Sequence, residues 1–157
     1  MSNIKFAKNL VKGKIAETIF AQMLRESRLF TVIEFGYEKV IPSFVQQGCD
    51  EKNGMMETLR TAPDFAVINH QTKDVKLIEV KYMNSLNTKR VLEYAQRMSA
   101  SWNPSYLFVA TLEDFYFDSI KNILNNKGAI DDFKTDQIPQ EVQNQYLEIL
   151  IKFEKNN

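Results

Sequence analysis

The chain reads as a single mixed α/β domain, a small sheet flanked by helices with two further helices at the C-terminal end. Three observations predict this. A long stretch with apolar residues at helical spacing comes first, short β-branched and aromatic runs follow, and one of those runs is separated from the next by a short polar turn. The length of 157 residues fits one core, so residues 1–157 are taken as one domain. An apolar share of 44% excludes a disordered chain as the default.

Residues 4–28 are predicted to be a helix. Ile15, Ile19 and Met23 recur every four residues with Ala16, Phe20 and Leu24 beside them, and Gly13 marks a kink or a close approach. Residues 30–41 are rich in aromatic and β-branched side chains and read as a strand or bent pair, ended by Pro42. Residues 43–62 form a long polar stretch of the kind that is usually functional or mobile. Residues 64–69 and 75–82 read as strands around a turn at His70–Asp74. A helix over 87–101 carries Val91, Leu92, Ala95 and Met98 on one side, and Asn103-Pro104 breaks it before a buried-type strand over 105–111. Thr111-Leu-Glu-Asp resembles a capping box and predicts a helix over 112–125. A last helix starts near Pro139 and runs to about Phe153.

Charge and cysteine content narrow the setting. Net charge is zero, but residues 1–28 carry six Lys/Arg against Glu17 and Glu26, while residues 110–157 carry nine acids against five bases. The first helix is thus a basic element suited to phosphate, or a solvated lysine face. Cys49 is the only cysteine, which excludes an intrachain disulfide and a cysteine zinc site. No apolar run spans a bilayer and no signal-peptide pattern opens the chain, so no membrane partner and a cytoplasmic location are expected.

Chemistry concentrates on the strand pair. If the turn is centred on Gln71-Thr72, opposed residue numbers sum to 143, and Asp64 faces Glu79. Opposed residues of an antiparallel pair project to one side with Cβ atoms roughly 5 Å apart. Alternation puts Glu79 and Lys81 on that side and Val80 on the other. A one-residue slip would separate them. Two adjacent carboxylates repel unless a cation joins them, and a small set of oxygen ligands suits Mg²⁺.

Pro63-Asp64, fourteen residues, then Glu79-Val80-Lys81 resembles the PD-(D/E)XK nuclease superfamily, nearest to Holliday-junction-resolvase-like and phage junction-resolving endonucleases. The resemblance covers roughly residues 10–111. It implies a restriction endonuclease-like core (αβββαβ) and Mg²⁺-dependent hydrolysis of DNA, with Mn²⁺ able to substitute. Asp64 and Glu79 would hold the metal, with the Val80 carbonyl as a further ligand. Lys81 would serve the attacking water. Gly13-Lys14-Ile15-Ala16-Glu17 is similar to the segment that brings a further acid to the metal in several branches, so Glu17 is the candidate there. Glu34 and Glu38 are open alternatives for another acid. Lys12, Lys14, Lys89 and Arg90, with the 43–62 stretch, are the candidates for nucleic-acid contact. The Gln-x-x-x-Tyr pattern of RecB-like nucleases is not matched, since Tyr94 and Gln96 stand in the wrong order and spacing, which leaves both as candidates for substrate contact. A double-strand cutter or junction resolver would need a homodimer, with Phe115, Ile120, Tyr146 and Leu150 as its expected interface. The rivals are a non-catalytic nucleic-acid-binding or assembly subunit on the same core, and an RNA endonuclease. His70 and Cys49 are read as incidental, Trp102 as a packing anchor, and Phe115, Tyr116 and Phe117 as core or interface.

Overall fold

A computed structural model describes residues 3–36, 58 and 61–156. Among them are four helices and five strands in the order α1 (Asn3–Ser27), β1 (Phe30–Glu34), β2 (Phe65–Asn69), β3 (Val75–Tyr82), α2 (Thr88–Ser99), β4 (Tyr106–Ala110), β5 (Phe115–Ser119), α3 (Ile120–Asn125) and α4 (Gln140–Lys155). The strands form one sheet in sequence order. Every pairing is antiparallel except β3–β4, where α2 makes the crossover that a parallel pair requires.

Alternation along the central strands divides the core in two. Ile78, Val80, Phe108 and Ala110 face α1 and α4, packing with Ala16, Phe20, Met23, Leu24 and Leu150. Leu107 and Val109 face the other way, onto Val91, Ala95 and Met98 of α2 and Ile120 and Ile123 of α3. β4 is therefore buried on both faces, as its unbroken apolar run implies. The apolar stripe predicted for α1 is the one the sheet covers, with Ile15 half-buried at its edge. The first two turns of α1 project beyond the core and leave Ile4, Phe6 and Leu10 exposed.

The β2–β3 hairpin has the predicted register: Phe65 pairs with Ile78, Ala66 with Leu77, Val67 with Lys76 and Ile68 with Val75. Asn69 organises the turn. Its side-chain oxygen accepts the Gln71 and Thr72 N–H groups, its carbonyl accepts Lys73 N–H, and its own N–H returns to Asp74.

Two expectations are corrected. Residues 112–125 are not one helix, because β5 occupies 115–119 and only Ile120–Asn125 is helical. Thr111 closes a tight turn instead of capping a helix. Its hydroxyl donates to the Asp114 carbonyl and accepts the Glu113 and Asp114 N–H groups, which leaves the aromatic run Phe115-Tyr116-Phe117 to extend as an edge strand. Phe115, Ile120 and Leu150 cannot form a subunit interface, since all three are about 1% exposed and belong to the core. The polar stretch 43–62, apart from Thr58, Thr61 and Ala62, lies outside the described residues, as do Glu38 and Cys49.

Candidate active site

The site lies where β2 begins. Pro63 has no N–H to extend the ladder toward the N-terminal side, and Asp64 follows just outside the strand. The Asp64 carboxylate takes up a bond the ladder would otherwise leave open, accepting Val80 N–H at 2.8 Å. The Asp64 carbonyl accepts the N–H groups of Phe35 and Gly36 as β1 ends. Main-chain bonds from two neighbouring strands thus fix both the backbone and the side chain of Asp64.

Glu79 lies next to it on β3, in hydrogen-bonding reach of Asp64. Glu17 reaches the other side of Asp64 from α1. The three carboxyls form a row with Asp64 in the centre. Burial, then the hydrogen bond with Glu79 and its charge, push the Asp64 carboxyl up to about 8, with the Val80 N–H and Glu17 pulling it back. Burial, followed by the charge and hydrogen bond of Asp64, pushes Glu17 up to about 7. Lys14, whose Nζ is 3.4 Å from a Glu17 oxygen, opposes that rise. Asp64 and Glu17 thus hold protons at neutral pH that isolated carboxyls would have lost.

Lys81 follows Glu79 on the same face of β3 and completes the cluster predicted from the hairpin. Its Nζ stands 4.7 Å from the centroid of the Tyr94 ring on α2. Two open grooves, of about 610 Å³ and about 400 Å³, meet at Lys14, Glu17, Asp64, Glu79 and Lys81. The larger runs between α1 and β1 past Gln22, Arg25 and Glu34. The smaller runs past Lys12, Gly13, Asn84, Arg90 and Tyr94.

The remaining predicted residues divide. Arg90 lines the smaller groove and donates to the Tyr94 hydroxyl at 2.8 Å. Lys12 also lines it, but its Nζ is held 2.9 Å from Glu154 of α4. Lys89 is exposed on α2 and lines neither groove. Glu34 lines the larger groove together with Glu17, Asp64 and Glu79. Val80 is buried and meets Asp64 through its N–H. His70 is exposed at the turn, 2.8 Å from the Thr31 hydroxyl, and Trp102 anchors by donating to the Thr58 carbonyl.

The sequence reading left Tyr94 as a candidate for substrate contact and did not group it with Arg90 and Arg97. The signal for that grouping was present: Arg90, Tyr94 and Arg97 fall at i, i+4 and i+7, one stripe of an amphipathic helix. Among the described residues, no group of three or more His, Cys, Asp or Glu side chains forms a metal-binding cage. Among the same residues, no helix is long and apolar enough to cross a membrane. Compared with protein-family models, with curated proteins and with solved structures, the chain matches none.

Proposed function

We propose that this chain is a divalent-metal-dependent nuclease that hydrolyses DNA phosphodiester bonds on a restriction endonuclease-like core. The observation that carries the reading is the row Glu17–Asp64–Glu79 with Lys81 beside it, at the meeting point of two open grooves. The element order α1–β1–β2–β3–α2–β4 is that of an αβββαβ core and supports the same assignment.

The donor set fits Mg²⁺ in kind. Asp64 and Glu17 retain protons at neutral pH chiefly because they are buried and then because a carboxyl lies beside each, and a cation among them relieves both. Mg²⁺ commonly takes only one or two carboxylates and keeps several waters, so a full protein cage is not required. Asp64 and Glu79 would hold the ion, with Glu17 and the Val80 carbonyl as further oxygen donors, and Mn²⁺ would substitute. Such an ion, when bound, acidifies water and offsets phosphoryl charge.

The chain's own groups do the rest. Hydrolysis adds water across one P–O bond, with the new P–O bond opposite the departing oxygen. Lys81 orients the attacking water and faces the charge that develops on the phosphoryl oxygens. Lys14 and Arg90 hold neighbouring phosphates along the grooves. The Val80 N–H keeps Asp64 from turning away. A double-strand cut would need two copies of such a site.

One observation favours a second reading. Cations line the two grooves at Lys14, Arg25 and Arg90, which also suits a non-catalytic nucleic-acid-binding subunit on the same fold. Incubation with plasmid, single-stranded DNA, branched DNA and RNA, with Mg²⁺, Mn²⁺ or EDTA, separates the readings. Cutting that needs the ion and falls at least about 100-fold in Lys81→Ala is the expected result, a loss in the range for one well-placed charge-stabilising group. Binding without cutting on every substrate supports the subunit. Cutting of RNA alone reassigns the substrate.

A further inference from the structure

Among the described residues Lys81 forms no ion pair, and the Tyr94 ring is what meets its ammonium. Two more cations converge on that ring. The Arg90 guanidinium is 5.8 Å from the centroid and bonded to the hydroxyl, and the Arg97 guanidinium is 5.7 Å away. Tyr94 is half-buried and packs on the α2-side core, so the ring is fixed from behind while its outer parts meet the charges. The negative face of an aromatic ring attracts cations, and the attraction grows where water is partly excluded. A lysine stem is otherwise free to sweep through many rotamers. Lys81 projects from β3 toward this ring at the point where the two grooves join.

We propose that Tyr94 is a positioning residue with two separable parts: its ring holds the Lys81 ammonium beside the carboxyl row, and its hydroxyl holds Arg90 against the strand in the smaller groove. The catalytic half of this proposal rests on the nuclease reading above; the contact itself does not. The ring acts on the chemical step, because it places the group that faces the reacting water. The hydroxyl acts on binding, because it places a cation that meets a phosphate away from the cut.

Tyr94→Phe and Tyr94→Leu separate the two parts. Phe keeps the ring, so kcat stays within about twofold while KM rises roughly threefold, the size of one lost hydrogen bond. Leu removes both, so kcat falls about tenfold as well. Thermal unfolding establishes that both variants are folded. A readout independent of cutting is the ring-current shift of the Lys81 ε-methylene protons by NMR, assigned through Lys81→Arg. It is expected upfield in wild type and Tyr94→Phe, and at the unperturbed value in Tyr94→Leu. Absence of the shift in wild type overturns the contact whatever the activity. A Tyr94→Leu protein that loses the shift but cuts at the wild-type rate overturns the positioning role. A wild-type protein that shows the shift and cuts nothing supports the contact and overturns the nuclease reading instead.

Discussion

Asp64 carries its carboxyl between two others, and that crowding has a consequence for stability. Its pKa is pushed up to about 8 from an ordinary 3.8, chiefly by burial and then by Glu79. Glu17 is pushed up to about 7 from 4.5, chiefly by burial and then by Asp64. The folded chain therefore holds these protons more tightly than the unfolded chain does, and protonation favours folding. That contribution is complete below the unfolded values near 4 and is lost as pH rises through about 7 to 8. In the metal-free protein Tm is expected to fall from pH 5 to pH 8.5. Asp64→Asn, which cannot ionise, should flatten most of that fall and raise Tm at pH 8 by about 3 °C, the effect of ~1 kcal/mol in a domain of this size. If the chain is the nuclease proposed above, the same substitution should abolish cutting. Added Mg²⁺ at about ten times its Kd should stabilise wild type at pH 8 by about 1.4 kcal/mol and leave Asp64→Asn unmoved. Thermal melts across pH, with and without the ion, check all of this. A wild-type Tm that does not decline with pH would remove the case for a crowded row.

Between elements, the position of α2 matters most, because α2 brings Arg90 and Tyr94 to the site. Its first turn is capped by Asn87, whose side chain accepts Arg90 N–H. The chain leaving α3 is set against that turn at Gly128, which is buried with φ +99 and donates its N–H to the Ile123 carbonyl. A Cβ there would clash with the Thr88 carbonyl oxygen, and a left-handed φ adds strain for any other residue. Gly128→Ala is expected to cost about 2 kcal/mol or more and to lower Tm by roughly 5 °C, read by circular dichroism, with a loss of cutting beyond what unfolding explains. The hairpin could be read from the sequence because alternation and a symmetric polar turn determine a register between them. The Asp64–Glu79 pairing followed from that alone. The run 112–125 misled because Thr-Leu-Glu-Asp serves a helix cap and a tight turn equally well, and the choice fell to the packing of Phe115 beneath α1 and α4. Tyr94 beside Lys81 and Glu154 beside Lys12 were out of reach for a different reason. They join elements whose mutual placement no local pattern encodes, the latter across 142 residues.

Across the whole molecule, zero net charge conceals an uneven distribution, with cations along both grooves and acids gathered in the C-terminal third. The two meet where the end of α4 lies beside α1. Glu154 holds Lys12 at 2.9 Å and lies 3.4 Å from the Tyr82 hydroxyl, which also donates to Asn84 at 2.6 Å. Lys12 Nζ stands 5.6 Å from the centre of the Tyr82 ring, and burial, followed by Glu154, pushes the Tyr82 hydroxyl up to about 12. In the free protein Glu154 thus neutralises a lysine that borders the smaller groove. A nucleic-acid phosphate approaching that lysine must displace or share it with a carboxylate, and it meets the charge of Glu154 as well. Glu154→Gln removes the opposing charge and keeps an amide for Tyr82 and Lys12 to contact. A partly exposed pair of this kind is worth at most ~1 kcal/mol, so affinity for a labelled DNA should rise roughly threefold at low salt. The slope of log K against log salt should steepen by about one unit, because one more phosphate is neutralised. Fluorescence anisotropy in EDTA over a range of salt concentrations measures both without cutting. Weaker binding with an unchanged slope would mean that Glu154 presents Lys12 to the groove and does not restrain it, and the basic face of α1 would then end at Lys14.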